Sequence, residues 1–192
     1  MNVVTGAGTG SYLLELGDGG DVFTEVQPGS YLWMDRSYVQ NLNEKGYVEP
    51  QFKNALFVAT TVISVTKTFD HNTTPAEHTP WNPYKEWAIV DAGSKAVSVD
   101  MGPPAVQGIA NLREIKALHD GLEFRFAGDE HGLVGAAASH SSPLPQPVRA
   151  GAVIVLVPGH CDTTVNMYDF FYGVRKGIVE AVYRIEARGP GA

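Results

Sequence analysis

An apolar run, Ala152-Val153-Ile154-Val155-Leu156-Val157, leads directly into Pro158-Gly159-His160-Cys161-Asp162-Thr163-Thr164-Val165-Asn166-Met167-Tyr168-Asp169. The Pro-Gly pair breaks the strand and presents an imidazole, a thiol and a carboxylate in a row. In extended backbone, residues i and i+2 share a face. The spacing therefore predicts that His160 and Asp162 point together, with Cys161 on the other side. A ring nitrogen and a carboxylate oxygen so placed can hold one divalent metal ion. Two protein ligands leave coordination positions open for water or substrate, as a catalytic metal needs. The same spacing also fits a loop in which His160 and Asp162 only hydrogen-bond to each other.

Other segments offer weaker chemistry. Thr5-Gly6-Ala7-Gly8-Thr9-Gly10-Ser11 follows Val3-Val4. Such a glycine-rich turn lets backbone N–H groups approach a phosphate, or it is a flexible start before the first strand. Gly128-Asp129-Glu130-His131-Gly132 places two carboxylates and an imidazole between strand-like segments. Glu130 or His131 could back a metal ligand from outside, or the segment is a polar hairpin turn. Asp91-Ala92-Gly93-Ser94-Lys95 and Asp100-Met101-Gly102-Pro103-Pro104 read, taken alone, as turns with acidic caps. His71, His78, His119 and His140 stand singly in loop-like contexts and read as exposed.

The elements that must position these residues read mostly as strands. The 21 glycines and 12 prolines cut the chain into short pieces. Leu56 to Thr68 is dense in β-branched residues and is the clearest long strand. Tyr12 to Leu16, Gly29 to Asp35, Glu86 to Asp91, Ala96 to Asp100, Leu122 to Phe126 and Val179 to Ile185 read as further strands. Helices are scarce: Asn111 to Leu118 reads as two turns, and Asp169 to Val174 as one. Asp70 to Pro83 and Ser139 to Pro147 read as proline-rich surface loops. The pattern predicts a mainly β fold. One domain over residues 1–192 is expected, an antiparallel β-barrel or sandwich-like unit with one or two short helices.

Composition narrows the function classes. A chain of 192 residues with 44% hydrophobic residues can build one core. The net charge of -7 argues against nucleic acid and anionic membrane surfaces as partners. No apolar run approaches the roughly 20 residues of a membrane helix, and the N-terminus does not read as a signal peptide. One cysteine excludes an intramolecular disulfide. A reducing, cytoplasmic setting is expected.

With these residues collected, the chain resembles the C-terminal β domain of the pyridoxal-phosphate (PLP) lyases related to D-threonine aldolase and eukaryotic-type D-serine dehydratase. The matching segments are Thr5 to Ser11, Thr24-Glu25-Val26-Gln27-Pro28-Gly29-Ser30-Tyr31 with Asp35, Val90-Asp91-Ala92-Gly93, Asp100 to Pro104, Asp129 to Gly132, and the His160 loop. They follow the family's order and cover nearly the whole chain. The resemblance implies an N-terminal PLP barrel of the alanine-racemase type, which carries the Schiff-base lysine. No such lysine motif occurs here. Residues 1–11 would be the end of that barrel, with Gly8, Thr9 and Gly10 helping to hold the PLP phosphate. Ala7 stands where glycine is usual.

The resemblance also implies that His160 and Asp162 are the metal ligands. The dehydratase branch uses histidine and cysteine at i and i+2, so Asp162 resembles the aldolase branch. A carboxylate favours a harder ion, Mn²⁺ or Mg²⁺, with Zn²⁺ the choice of a thiolate. The implied reaction is retro-aldol cleavage of a D-3-hydroxy amino acid to glycine and an aldehyde. PLP would be the electron sink, and the metal would orient the hydroxyl as a Lewis acid. The base would come from the barrel, so no catalytic residue is assigned in this chain and lyase activity of the chain alone is not expected. A separate barrel chain would complete the site, and a homo-oligomer is a further expected partner state. Two alternatives stand beside this reading: a D-serine-dehydratase-like fragment, and a non-catalytic binding or structural module that exposes an apolar face such as Tyr168 to Tyr172.

Overall fold

The computed structural model describes residues 3–17, 22–43, 45–47, 51–69, 84–110, 115–117, 121–136, 144 and 148–189. In chain order the elements are β1 (Thr5–Gly6), α1 (Tyr12–Gly17), β2 (Glu25–Val26), β3 (Val58–Phe69), β4 (Tyr84–Val90), β5 (Ala105–Ala110), β6 (Ile115–Ala117), β7 (Leu122–Phe126), β8 (Gly132–Ala136), β9 (Val153–Val157), α2 (Cys161–Val165), β10 (Phe170–Arg175) and β11 (Ile178–Arg184). Short 3-10 turns cover Ser30–Leu32 and Tyr38–Gln40. The fold is mainly β, as expected, with two short α-helices among the described residues. None of those helices is long and apolar enough to cross a membrane.

Seven strands form one antiparallel sheet in the order β6-β5-β9-β3-β4-β8-β7. Its hinge is β3. Val58 to Thr61 pair with β9, whereas Val62 to Phe69 pair with β4, and a register shift falls between Val62 and Ser64. Such a bulge bends a strand and increases its twist. The sheet curls so far that β5 packs against β7, giving a half-barrel. Along β3, buried Val58, Thr60 and Val62 alternate with exposed Ala59, Thr61 and Ile63, the period of a strand with one covered face. Ile154 to Val157 of β9 are buried without interruption, which is why this strand reads as a continuous apolar run. Val62, Val90, Val97, Phe124, Val134, Ile154 and Leu156 form the core inside the curl.

The structure corrects several local expectations. Tyr12 to Leu16 is helical, because the Tyr12 N–H is taken by the Gly8 carbonyl and the Glu15 N–H by the Ser11 carbonyl. Leucine and glutamate favour helix in any case. Gly29 to Asp35 contains a 3-10 turn in place of a strand, with Met34 at φ 50. Ala96 to Asp100 is a turn, in which the Ala96 and Val97 N–H groups share the Gly93 carbonyl. Ile115 to Ala117, expected as helix, pairs as a strand with β5, and the rest of that segment lies outside the described residues. Asp169 to Val174, also expected as helix, supplies β10, whose aromatic and β-branched residues pair with β11. Residues 70–83, with His71 and His78, lie outside the described residues, as do His119 and His140. Leu144, in a stretch expected at the surface, is buried in the core, and its N–H donates to Glu86 Oε2 at 3.1 Å.

Candidate metal centre

Three segments far apart in sequence meet where β9 ends. The first is Pro158 to Val165. His160 keeps an extended backbone (φ -138, ψ 124) and immediately precedes α2. The second is Ser98 to Pro104. It approaches so closely that a Cβ on Gly159 would stand 2.3 Å from the Gly102 carbonyl oxygen, so only glycine fits there. The third is Ser30 to Tyr38. Its Arg36 and Ser37 N–H groups donate to the Pro158 and Gly159 carbonyls at 3.0 and 3.2 Å. Asp35, wholly buried, closes this seam. Its Oδ2 accepts from the Cys161 N–H at 2.7 Å and its Oδ1 from the Tyr38 N–H at 2.8 Å. The first orphan donor of α2 is thus capped from across the fold.

The seam brings Asp100 to His160. His160 Nδ1 lies 2.6 Å from Asp100 Oδ2. The Thr163 hydroxyl sits 3.1 and 3.2 Å from the two Asp100 oxygens, and the Ser98 hydroxyl donates to Oδ1 at 2.5 Å. Partial burial works to raise the Asp100 pKa. The hydrogen bonds from Ser98, His160 and Thr163 outweigh it and hold the carboxyl at about 2. Burial likewise pulls the His160 pKa down, but the contact with Asp100 and the charges of Asp162 and Asp35 raise it on balance. With Nδ1–H committed to Asp100, the ring turns Nε2 outward. A carboxylate that orients a histidine in this way is the usual support of a metal-bound imidazole.

Asp162 meets that nitrogen by a different backbone route from the one expected. It belongs to the first turn of α2 and not to an extended run, yet its Oδ2 lies 3.6 Å from His160 Nε2. At that distance the pair is not hydrogen-bonded. It is, however, a separation that suits two donors on one ion, which stand roughly 3.0–3.6 Å apart for bonds of about 2.1 Å. An imidazole lone pair facing a carboxylate needs a proton or a cation between them. The chemistry of the donors therefore fits a divalent ion with two protein ligands. No cluster of three or more His, Cys, Asp or Glu side chains that could hold a metal occurs among the described residues. Cys161 is buried, and its thiol lies 3.2 Å from Asp162 Oδ1. Burial, with the Asp162 contact adding to it, pushes the thiol pKa up to about 12, so the group stays protonated.

The glycine-rich turn reaches the same neighbourhood. Thr9 is buried, and its Oγ1 accepts from the Tyr31 N–H at 3.0 Å. The next residue back, Ser30, has its hydroxyl 3.5 Å from Asp162 Oδ1. Gly8 and Gly10 flank Thr9, and Ala7 holds a left-handed φ of 61. Thr9, Gly10, Tyr12, Tyr38, Asn41 and Phe52 line part of a cavity of about 760 Å³ beside the turn. Glu130 and His131 lie elsewhere, in the tight β7–β8 connection, where Glu130 Oε1 accepts from Lys95 Nζ at 2.7 Å. Asp100 and Asp35 escaped the residue-by-residue reading. Their partners are 60 and 126 residues away, and a lone aspartate beside a turn looks like turn chemistry.

Comparison with known proteins gives a consistent picture. Residues 55–174 match the family described as "Putative serine dehydratase domain". Over 190 residues the chain is 36% identical to 3-hydroxy-D-aspartate aldolase of Paracoccus denitrificans (strain Pd 1222), spanning 98% of this chain and 40% of that protein. It is 35% identical over 188 residues to D-threonine aldolase of Arthrobacter sp, again spanning 98% and 40%. The crystal structure of D-threonine aldolase from Filomicrobium marinum is similar with a TM-score of 0.66 at 33% identity, covering 95% of this chain and 40% of that one. The chain spans about 40% of the length of these relatives.

Proposed function

Because the chain belongs to the serine dehydratase domain family, we propose that it is the metal-holding part of a PLP-dependent lyase acting on D-3-hydroxy amino acids. The carrying observation is the His160 Nε2–Asp162 Oδ2 pair at 3.6 Å, with Nδ1 held by Asp100. In this reading His160 and Asp162 hold the ion, Asp100 keeps the proton on Nδ1, and Ser98 and Thr163 keep Asp100 in place. When bound, the ion polarises the substrate hydroxyl and PLP withdraws electrons from the substrate carbon. The carboxylate of the pair favours Mn²⁺ or Mg²⁺, and Zn²⁺ would also fit a nitrogen–oxygen pair.

Retro-aldol cleavage is favoured over dehydration by Asp162, a carboxylate at the position where the dehydratase branch places a thiolate. The two relatives at 36% and 35% identity are named as aldolases, which supports the same choice. Gly8, Thr9 and Gly10 would contribute to the PLP phosphate site, with residues 1–11 as the end of the barrel that carries the lysine. That barrel, on the same or a separate chain, would cover part of the exposed apolar surface. Tyr172, Val174, Ile178 and Val182 of the β10–β11 hairpin are such surface.

The test is calorimetric titration of Mn²⁺ and Zn²⁺ into the chain, beside His160→Ala and Asp162→Ala. Binding by the wild type and loss in both variants is expected. Wild-type protein that binds neither ion would sink the metal reading. A parallel assay with PLP and D-threonine is expected to show no turnover by this chain alone.

A further inference from the structure

Asp162 lacks the packing that would by itself fix a metal ligand. Its side chain is 61% exposed at the start of a five-residue helix. An exposed aspartate exchanges among several rotamers, and nothing in such exchange keeps one oxygen opposite His160. Two buried donors meet the other oxygen. Cys161 Sγ lies 3.2 Å from Asp162 Oδ1, a normal length for a thiol donor, and Ser30 Oγ lies 3.5 Å from the same atom, at the outer limit of hydrogen bonding. Neither contact involves Oδ2, the oxygen that faces His160 Nε2.

We infer that the Cys161 thiol and the Ser30 hydroxyl form a clamp on Asp162 Oδ1 that leaves Oδ2 as the single metal-binding oxygen. This rests on the metal reading of the site. The clamp is rigid where its target is not. Cys161 is fully buried, and its backbone N–H is fixed to Asp35. Ser30 is buried, and its carbonyl accepts from the Trp33 and Met34 N–H groups at 3.1 and 2.7 Å. The two donors come from segments more than a hundred residues apart, so neither could hold Oδ1 without the seam described above. Bidentate binding would require Oδ1 to give up at least one of its donors. Cys161 is then a positioning residue whose sulfur stays off the metal. The ligand set keeps its nitrogen–oxygen character although a thiol stands next in sequence to Asp162.

The test uses Mn²⁺ alone as the probe, titrated into the wild type, Cys161→Ala, Cys161→Ser and Ser30→Ala, with metal-free melting of each. Cys161→Ala is expected to lose roughly tenfold in Mn²⁺ affinity, the scale of a lost outer-shell contact. Cys161→Ser keeps a donor and should recover most of it, and Ser30→Ala should lose a few-fold. The Co²⁺ complex of the wild type should show no thiolate-to-metal charge-transfer band. Unchanged Mn²⁺ affinity in a folded Cys161→Ala would overturn the clamp while leaving the metal site standing, as would a thiolate band with Co²⁺. Should Cys161→Ala fail to fold, a Cys161→Ser variant that folds and binds no better than His160→Ala would overturn the clamp too. Wild-type protein that binds no ion would remove both the clamp and the reading beneath it.

Discussion

Two regions of this molecule carry the same chemical ingredients. One gathers Asp100, His160 and Asp162; the other is the β7–β8 connection with Asp129, Glu130 and His131. In the second, the backbone is well anchored, since Gly128 and Asp129 carbonyls accept from the Ser94 and Lys95 N–H groups at 3.1 and 3.0 Å. The side chains are not. Asp129 and Glu130 are 70% and 65% exposed, and both turn to Lys95. The Glu130 hydrogen bond raises the Lys95 pKa, with Asp129 adding to it. In the first region, the His160 ring is 23% exposed, and Asp100 accepts from three side chains. What differs is the number of partners: Asp100 is fixed by three side chains around a half-buried ring, whereas Glu130 meets one exposed lysine. Proximity in sequence supplies the ingredients alone.

The largest way to break the comparison is to remove what joins the segments. Asp35 is the buried carboxylate that caps Cys161 and Tyr38. Asp35→Ala strands two backbone N–H groups, and losing such partners in a buried setting is worth roughly 2–5 kcal/mol of stability. Urea denaturation is expected to show a loss of that order, with metal binding lost wherever the seam opens. A loss below about 1 kcal/mol would mean that packing of Pro158 to Val165 holds the loop without the cap.

A sharper cut leaves the fold alone. Asp100→Asn keeps the shape but removes the charge that orients His160, and it is expected to weaken Mn²⁺ binding by roughly 10- to 100-fold. The pH response of the metal-free protein checks the same contact. The folded Asp100 pKa is lowered from 3.8 to about 2, so its contribution is present above 3.8 and lost as pH falls through about 2. The folded His160 pKa is raised from 6.5, so its contribution is full below 6.5 and lost as pH rises through the raised value. The pair therefore stabilises the metal-free chain most between 3.8 and 6.5. In Asp100→Asn that window should flatten. Metal binding runs the other way, since protons compete for Nε2 and affinity falls as pH drops through the His160 pKa. A stability profile for Asp100→Asn that overlays the wild type would show that the contact is geometric only.

Legibility in the sequence followed how local each determinant is. Strands β3, β7 and β9 were readable because β-branched runs and alternation are properties of neighbours. The β10 segment was misread as helix because the two-residue turn at Lys176 and Gly177, both at positive φ, which pairs it with β11 went unrecognised. The approach of Asp162 to His160 was readable from their spacing, although the route is an extended residue followed by a helical turn rather than a strand. Asp100 carried no mark of its contact with His160. Its neighbours Met101 to Pro104 look like any loop, and the close fit of Gly102 against Gly159 appears only after folding. Thr9 lies in a turn readable as phosphate-binding, but nothing local ties its hydroxyl to Tyr31, 22 residues on.

The smallest expected effect tests the other half of the comparison. Lys95→Ala removes the cation that Asp129 and Glu130 share, and Glu130→Gln removes one of the anions. All three side chains are largely exposed, so water and salt screen the contacts and they contribute little to stability. Melting of either variant should therefore lie close to the wild type, and any small difference should shrink further in 1 M salt. Mn²⁺ affinity should be unchanged, because the atoms that hold His160 Nδ1 belong to Asp100 and not to Glu130. A tenfold loss of Mn²⁺ affinity in Glu130→Gln would place that carboxylate in the support of the metal after all. It would also mean that a turn can serve a site without the three side-chain partners that Asp100 has.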